Sequence, residues 1–500
     1  MERADVGTGG EQDARTSGRQ EPGWRVVWWG GVGLMVGWVL ARHVARYFFV
    51  FDDFALVGVA RRNSVADIVL GAPFGFYRPL TFLLVKLQAW GFGWERPWGY
   101  ALVSTLLHIA NAALWGRLLR GRGWSVGAAT SASLLMLWSP WAGETFFWVA
   151  CQFDLWATWL MLLSLGAMQR SERPGPLAGR ALWWGLGLLA TLAAQFSKEI
   201  AVILPVLYAA LLVSGPRWRP SAGQIARCVA LGTVVLGAVA WRGRFLHGLG
   251  GAYGDLGMLM RQANLQGNLK TYVQSFGMVP FDVAWPAFRG IAALQTLGVM
   301  ALALAALRFP RRAVLLLGGF GLCLAPVIWT GVGMRITGGG RLLYAPSLLA
   351  VAALALALET PEAGPRQARL LKVARGLGLA GLLVTCALSL VSDRYQMRVW
   401  NAATAMARSV VAQVEPYLDA PALYLPNLPS LFEQGPYVLK PYAFEYYYEG
   451  RRVPPVRAGE VRLRYARSRV TVVPWSDEDA KEAPAGEVTV TLDLQLPSER

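Results

Sequence analysis

Two adjacent carboxylates, Asp52 and Asp53, stand in the sequence Phe-Val-Phe-Asp-Asp-Phe, just after the first long apolar stretch of the chain. Carboxylates flanked by aromatic residues at such a boundary are costly to keep there. One of them could act as a general base on an acceptor hydroxyl, with its pKa raised in a low-dielectric cleft. An ordinary solvated turn that ends the apolar stretch explains the pair equally well.

A second group of charged residues lies near the ends of later apolar stretches. Glu144 lies in the short turn Trp-Ala-Gly-Glu, and Asp154 follows Gln152 by two residues in the next apolar stretch. An acid inside such a stretch is either functional or paired with a neighbouring cation. Lys198 and Glu199 are adjacent in Phe-Ser-Lys-Glu-Ile, where a mutual structural ion pair is the simplest alternative to a functional role.

Arg335 and Arg341 bracket the three glycines at 338–340. An arginine could clamp a phosphate bidentately there, or anchor at lipid head groups, which is the commoner use of a lone interfacial arginine. We expect His108 to be a packing histidine on a helix, and the other two histidines have no recognisable partner. The chain contains no H-E-x-x-H, P-loop or G-x-S-x-G motif, so its motifs do not support nucleotide-driven chemistry.

The composition predicts an integral membrane protein. Hydrophobic residues make up 55% of the 500 residues, charged residues only 16%, and the mean hydropathy is +0.37, which is more apolar surface than a soluble globule could bury. The net charge of +17 lies largely in short loops, so nucleic-acid binding is not expected. The four cysteines form no C-x-x-C motif and are expected to be buried and free of disulfides and zinc.

Eleven spans are predicted, each long enough for a bilayer core of about 30 Å. A further stretch, 77–93, is interrupted by Arg78, Lys86 and Gln88 and is expected to lie in the interface as a helix. The predicted spans cover residues 25–44, 97–117, 125–141, 146–168, 181–197, 199–214, 227–243, 290–308, 313–332, 342–358 and 373–392.

The distribution of Lys and Arg predicts the orientation. With 77–93 interfacial, the loops at 117–124, 169–180, 215–227, 308–312 and 359–375 all fall on one side. Their Lys and Arg density is more than twice that of the opposite loops, so this side is predicted to be cytoplasmic. The charged candidates Asp52, Asp53, Glu144, Lys198, Glu199 and Arg341 then fall on the outer side.

Three parts are predicted along the chain. Residues 1–24 read as a disordered cytoplasmic tail followed by a retained signal anchor, and 25–392 form the transmembrane domain with long outer loops at 45–96 and 244–289. Residues 393–500 are expected to form an extracytoplasmic α/β or mostly β domain, beginning with a helix to Val414. Its strand-like runs are Leu423–Leu425, Val461–Tyr465, Val470–Val473 and Val488–Leu496.

The order of several motifs resembles the polytopic GT-C glycosyltransferases, and most closely the membrane O-mannosyltransferases that carry tetratricopeptide repeats. The resemblance covers about residues 25–360. The matching segments are FVFDDFALVGVARRNSV at 49–65, YRPLTFLLVKL at 77–87, PWGYALVSTLLHIANAALW at 97–115, GETFFWVACQFDLWAT at 143–158, FSKEIAVILPVL at 196–207 and RLLYAPSLL at 341–349.

The resemblance implies an α-helical GT-C-like membrane fold and an inverting transfer of a monosaccharide, such as the hexose mannose, from a polyprenyl-phosphate donor to an acceptor hydroxyl. It implies that Asp52 or Asp53 is the catalytic carboxylate. The substrate-binding residues implied, either near the sugar or acceptor or at the lipid phosphate, are Arg78, Glu144, Asp154, Lys198, Glu199, Arg341 and Tyr344. The acceptor could be a protein, a glycan or a lipid, no cofactor is certain, and assistance by a divalent metal is left open.

Two departures from the family pattern stand out. No repeat array follows the membrane domain, and Gly340 replaces the acidic residue that usually precedes the arginine of the Tyr-x-Pro-Ser motif, which puts the orientation of Arg341 in question. A flippase or transporter for a lipid-linked sugar is the main alternative, and a non-catalytic membrane scaffold is the third. The short tail without repeats favours a bacterial inner membrane, with the site on the periplasmic side.

Overall fold

A computed structural model describes ten segments of the chain. They are residues 21–215, 220–246, 264–268, 286–329, 340–360, 368–433, 435–448, 451–466, 469–473 and 487–495. Most of the predicted outer loop 244–289, with His247, lies outside the described residues, as do Arg335 and residues 1–20.

Long apolar helices make up most of the described chain, which confirms the predicted α-helical membrane fold. Five of them precede residue 200, and one of these, Gln152–Ser171, bears the charged candidate Asp154 of the fourth predicted span. The larger helices are α1 (Glu21–Arg42), α5 (Pro97–Gly121), α6 (Val126–Leu137), α8 (Gln152–Ser171), α9 (Leu177–Gln195), α10 (Leu204–Val213), α11 (Ala222–Leu246), α12 (Pro286–Ala306), α13 (Pro310–Leu324), α14 (Ser347–Ala355) and α15 (Ala368–Val414).

Each of the eleven predicted spans overlaps one of these helices. Within the described segments, seven helices are long and apolar enough to cross a membrane, and an eighth candidate is a bent pair. Several of the others, such as α6 with 12 residues and α10 with 10 residues, are shorter than the roughly 20 residues of a straight span. The protein is therefore an integral membrane protein, while the count of eleven stays a prediction.

Shorter elements between the first two long helices carry the candidate residues of the first loop. They are α2 (Asp52–Arg62), α3 (Val65–Leu70) and α4 (Pro79–Phe92). A capping box between Ser64 and Asp67 starts α3, and Pro79 starts α4 at a position where its missing N–H costs nothing. The chain bends by 117° between the helical segments Val65–Gly75 and Pro79–Phe92.

With 14 residues, α4 is about 21 Å long, less than the bilayer core. That length suits the predicted interfacial position of 77–93, which stays a prediction.

The long helix α15 runs without a break through the predicted boundary between the last span and the C-terminal domain at residue 392. Beyond it lies a four-stranded mixed sheet, which confirms a small C-terminal domain and makes it α/β. The strands are β1 (Leu423–Phe432), β2 (Val456–Ala466), β3 (Arg469–Val473) and β4 (Val488–Thr489), in the order β3-β2-β1-β4. β1 pairs in parallel with β2 and β4, and β2 pairs antiparallel with β3.

Two further short helices position side chains at the site. α7 (Gly143–Phe147) follows α6 and holds Glu144, and α16 (Tyr442–Tyr447) lies between β1 and β2 of the C-terminal domain. α16 packs against α2, so the C-terminal domain contacts the first loop of the membrane domain. A sequence segment nearly 400 residues downstream thereby reaches the Asp52–Asp53 pair.

Candidate active site

Asp52 and Asp53 begin helix α2, and their carboxylates lie in different surroundings. Asp53 is fully buried and accepts hydrogen bonds from the Tyr47 hydroxyl at 2.5 Å, the Val50 N–H at 3.0 Å and the Ala150 N–H at 2.6 Å. Burial raises the pKa of Asp53 to about 7, although these three donors act in the opposite direction. Asp53 therefore joins the first loop to the segment before α8, and its side chain is not accessible to solvent.

Asp52 lines a cavity instead. Its Oδ1 accepts a hydrogen bond from the Tyr442 hydroxyl at 3.0 Å. Burial raises the pKa of Asp52, while the hydrogen bond from Tyr442 and the charges of Arg341 and Arg78 lower it. Asp52 is thus a carboxylate in a partly desolvated cleft that faces cations, which is the setting a general base requires.

An unusual backbone conformation at Phe51 precedes the pair. Phe51 has φ 42° and ψ −112°, a sparsely populated region for a residue with a side chain. Its N–H donates to the Val438 carbonyl at 2.8 Å, and its ring stacks on Tyr437 at 4.5 Å between centroids. Contacts with the C-terminal domain therefore hold the turn from which Asp52 and Asp53 diverge.

Three ion pairs bring together the cations that the sequence left on separate segments. The Arg78 guanidinium holds Glu199 through both carboxylate oxygens, with the shortest contact 2.7 Å, and the Lys198 ammonium lies 2.5 Å from Asp154. The predicted alternative of a mutual Lys198–Glu199 pair is wrong, since the two adjacent side chains take different partners.

Arg341 lies farther from its carboxylate, Glu144, than Arg78 and Lys198 lie from Glu199 and Asp154. Its guanidinium is 3.8 Å from Glu144 Oε1, and Glu144 Oε2 instead accepts the Arg341 backbone N–H at 3.0 Å. The Arg341 side chain is 31% exposed, against 9% for Arg78 and 12% for Lys198. Its guanidinium lies over the Trp148 ring at 4.9 Å. Although Gly340 stands in place of the usual acid, Arg341 is therefore oriented by the Trp148 ring and by the hydrogen bond from its backbone N–H to Glu144.

One cavity of about 420 Å³ connects Asp52 with these cations. Its wall comes from the first loop, the start of α8, the Lys198 turn, the segment after Gly340 and α16. The lining residues are Asp52, Ala55, Leu56, Phe74, Phe76, Arg78, Phe82, Trp148, Ala150, Phe153, Asp154, Lys198, Arg341, Leu342, Tyr442, Glu445 and Tyr446. Three acids (Asp52, Asp154 and Glu445), three cations and an aromatic wall thus share one space.

Four residues predicted to take part directly do not line this cavity. Asp53, Glu144 and Glu199 lie behind it. Asp53 holds the segment before α8, Glu144 holds Arg341, and Glu199 holds Arg78. Tyr344 is buried, and its hydroxyl is hydrogen-bonded to His108 at 2.8 Å and to Asn111 at 3.3 Å. Each of these four side chains contacts protein groups and none lines the cavity, so a direct role for them in catalysis or substrate binding stays a prediction.

Several residues of the cavity were not predicted from the sequence. Tyr442, Glu445 and Tyr446 come from α16, in the tail segment Pro-Tyr-Ala-Phe-Glu-Tyr-Tyr-Tyr. Its density of tyrosines was the available signal, but nothing in the sequence linked it to a loop 390 residues earlier. Trp148 was also missed, since aromatic residues are common throughout a membrane protein.

In the segments that the structure describes, no group of three or more His, Cys, Asp or Glu could hold a metal ion.

The known proteins similar to this chain include a protein O-mannosyl-transferase and an oligosaccharyltransferase. The chain is 28% identical to the protein O-mannosyl-transferase Tmtc2 of Drosophila melanogaster over 208 residues, which is 37% of this chain and 22% of that protein. The match therefore spans about a fifth of the relative's length. No protein-family model matches the chain.

Two solved structures have a similar overall shape at low sequence identity. ArnT from Cupriavidus metallidurans, bound to undecaprenyl phosphate, gives a TM-score of 0.49 at 13% identity, over 88% of this chain and 86% of ArnT. The Archaeoglobus fulgidus oligosaccharyltransferase tethered to an acceptor peptide gives 0.45 at 12% identity, over 87% of this chain and 64% of that protein. Part of the chain is thus similar to part of a protein O-mannosyl-transferase.

Proposed function

We propose that this protein is a glycosyltransferase that moves a monosaccharide from a polyprenyl-phosphate donor to an acceptor hydroxyl, with inversion at the anomeric carbon. The observation that carries the proposal is the single cavity in which Asp52 faces Arg78, Lys198 and Arg341. Such a transfer needs one base for the acceptor and cations for the departing phosphate. Both sets of groups line the same space.

In the proposed reaction, the Asp52 carboxylate takes the proton of the acceptor hydroxyl. The acceptor oxygen attacks the anomeric carbon from the face opposite the phosphate, and the bond from that carbon to the phosphate oxygen breaks. The electron pair leaves with the polyprenyl phosphate, whose negative charge the three cations stabilise. Attack from the opposite face gives the inversion.

The resting ion pairs are compatible with phosphate binding. A guanidinium has five N–H donors, more than one carboxylate can use, so Arg78 and Arg341 can keep their carboxylates and still contact a phosphate. Arg341, the most exposed of the three cations, is the one we assign to first contact with the lipid phosphate. Glu199 and Glu144 then act as positioning residues for the two arginines.

The side of the membrane and the substrates belong to the same proposal. The density of Lys and Arg in the opposite loops supports an extracytoplasmic site, which in a bacterial inner membrane would be periplasmic. The similarity to a protein O-mannosyl-transferase supports a hexose such as mannose, and a protein, glycan or lipid could supply the hydroxyl.

The test is transfer by the purified protein from a panel of radiolabelled polyprenyl-phosphate monosaccharides to protein, glycan and lipid acceptors. Asp52→Asn should reduce kcat by about 10²- to 10⁴-fold, which is the usual contribution of a general base. Glu445→Gln removes the same charge from another part of the same wall and should cost much less.

Two results would contradict the proposal. Transfer at the wild-type rate by Asp52→Asn would remove the base. Absence of transfer from every donor, together with translocation of a lipid-linked sugar across vesicles that contain the protein, would identify a flippase instead.

A further inference from the structure

A second large cavity lies far from the candidate active site. It is a groove of about 560 Å³ between α5, α8 and α9, walled by leucines such as Leu114, Leu163 and Leu189, and three arginines line it as well: Arg117, Arg170 and Arg173. Asp154 of the active-site cavity and Arg170 of the groove lie 16 positions apart on α8. At 1.5 Å per residue they are about 24 Å apart along that helix, so the two cavities lie at opposite ends of the helix bundle.

The charge around the groove is of one sign. No Asp or Glu is among its lining residues in the described part of the chain. The nearest acid in sequence, Glu172, is held elsewhere: Arg122 contacts it at 2.7 Å, and Tyr208 and Gln224 each donate to it at 2.8 Å. The three arginines of the groove are therefore not neutralised by that carboxylate.

The apolar part of the groove opens toward the lipid-facing side of α9. Leu186 and Leu189 are 42% and 62% exposed although they lie in the middle of an apolar membrane helix. At the polar end, the Arg170 guanidinium lies over the Trp183 ring at 4.4 Å, and Trp is a side chain that favours the membrane interface. The groove thus has an apolar side exposed to lipid and a cationic end marked by an interfacial aromatic residue.

A smaller cavity of about 250 Å³ on the other side of α5 shares Arg117 and adds Arg25 and Arg120. No acidic residue lines it either, among the residues described. Isolated arginines at helix ends would be explained by membrane orientation alone. Three arginines that line one groove without an acid, Arg117, Arg170 and Arg173, match a ligand with concentrated negative charge.

We infer that the groove between α5, α8 and α9 binds an anionic phospholipid from the leaflet opposite the active site. The arginines hold the headgroup phosphate, for which guanidinium geometry is suited, and an acyl chain occupies the leucine-lined part. Basic pockets between membrane helices on the cytoplasmic side are known to take anionic lipid headgroups. This inference does not depend on the reaction proposed for the other face.

The test measures lipid retention by native mass spectrometry of the full-length protein titrated with phosphatidylglycerol or phosphatidylcholine. Replacing Arg117, Arg170 and Arg173 together by Gln should weaken phosphatidylglycerol binding on the order of 100-fold, since each cation near such a surface contributes roughly fivefold. Binding of phosphatidylcholine should change little. The matched control removes three charges from another part of the same face, at Arg311, Lys372 and Arg375, and should retain the lipid.

A second variant tests the groove without changing charge. Gly166 lines the groove, and a Cβ there would meet only Leu118 Cδ2 at 3.7 Å, so Gly166→Leu should fill the groove, leave the fold intact and weaken phosphatidylglycerol binding at least tenfold. Equal losses in the control triple variant would show a general effect of surface charge and overturn the inference. Unchanged binding in Gly166→Leu, or in a folded Arg117/Arg170/Arg173 variant, would overturn it as well.

Discussion

The carboxylates of Asp52 and Asp53 are adjacent along the chain and differ in what surrounds them. Asp53 meets three donors from the protein and does not line the cavity, whereas Asp52 meets one tyrosine and the cavity with its cations. Because consecutive residues of a helix point about 100° apart, a turn that directs one carboxylate to the cavity directs the other inward. We therefore assign catalysis to Asp52 and loop anchoring to Asp53.

Asp53→Asn should lower stability by about 1–3 kcal/mol, because an amide N–H₂ would replace a buried carboxylate oxygen that accepts hydrogen bonds. The measurement is thermal unfolding of the detergent-solubilised variant. Asp52→Asn is the matched control, since it removes a charge from the same helical turn, and it should unfold close to the wild type. Equal destabilisation by both variants would refute the division of roles.

Arg341→Gln should raise the KM for the lipid-linked donor by about 10- to 100-fold, since a hydrogen bond to a charged group contributes about 1.5–3 kcal/mol. The fold should survive, because the closer contact of Glu144 is with the backbone N–H of residue 341, which any substitution keeps. Arg341→Lys keeps the charge but loses the planar guanidinium, so its KM should lie between those of the wild type and Arg341→Gln. A wild-type KM in Arg341→Gln would exclude Arg341 from phosphate binding.

Among the elements, the short helix α16 connects the C-terminal domain to the candidate active site. Tyr442 at its start contacts Asp52, and Lys440 just before it forms a 2.5 Å ion pair with Glu460 of β2. The neighbouring Tyr437 and Val438 hold Phe51 in its left-handed conformation. The C-terminal domain thus completes the site and positions its proposed base.

Tyr442→Phe should move the acid limb of the pH–rate profile upward by about one pH unit. The Tyr442 hydroxyl donates to the Asp52 carboxylate and lowers its pKa, and a hydrogen bond to a charged group is worth about one pKa unit or more. The base is active when deprotonated, so the variant should be slow at low pH and recover toward the wild-type rate at high pH. A uniform loss at every pH would indicate a structural role for Tyr442 instead.

At the scale of the whole molecule, the two ends of the helix bundle have different chemistry. The active-site cavity, with its mixed charges, lies at the end of the bundle that carries Asp154 and Lys198. The other end carries Arg117, Arg170 and Arg173. There Glu359 joins the start of α6 to the start of α13, since it accepts a hydrogen bond from the Ser125 N–H and lies 3.6 Å from Arg312. The uneven distribution of Lys and Arg predicts that this second end is cytoplasmic.

The two ends of α5 provide a direct test of orientation. Arg96 precedes the helix and Arg120 lies near its end, about 36 Å further along the axis. In a background in which the partly exposed Cys228 and Cys386 are replaced by Ala, an impermeant thiol reagent added outside intact cells should label Arg96→Cys. Arg120→Cys should be labelled only after the membrane is opened. The reverse pattern would invert the proposed topology.

The sequence by itself determined the class of protein, the helices and the inventory of charged candidates. These follow from local properties, since apolar length, proline at helix starts and charge in loops act over one or two turns of chain. Each predicted span accordingly overlaps a helix, and each predicted strand-like run of the tail overlaps a strand.

Which of the charged candidate residues lie close together follows from the tertiary structure. Lys198 pairs with Asp154, 44 positions away, rather than with its neighbour Glu199. Tyr442 reaches Asp52 across 390 positions. The burial of Asp53 and Tyr344 likewise depends on distant contacts and, for Asp53, on the direction of one strained turn. Side-chain contacts of that kind arise from packing of whole elements, which residue types and spacing along a single chain do not encode locally. The sequence therefore identified the charged groups, and the packing of α2, α8 and α16 placed Asp52 opposite the cations.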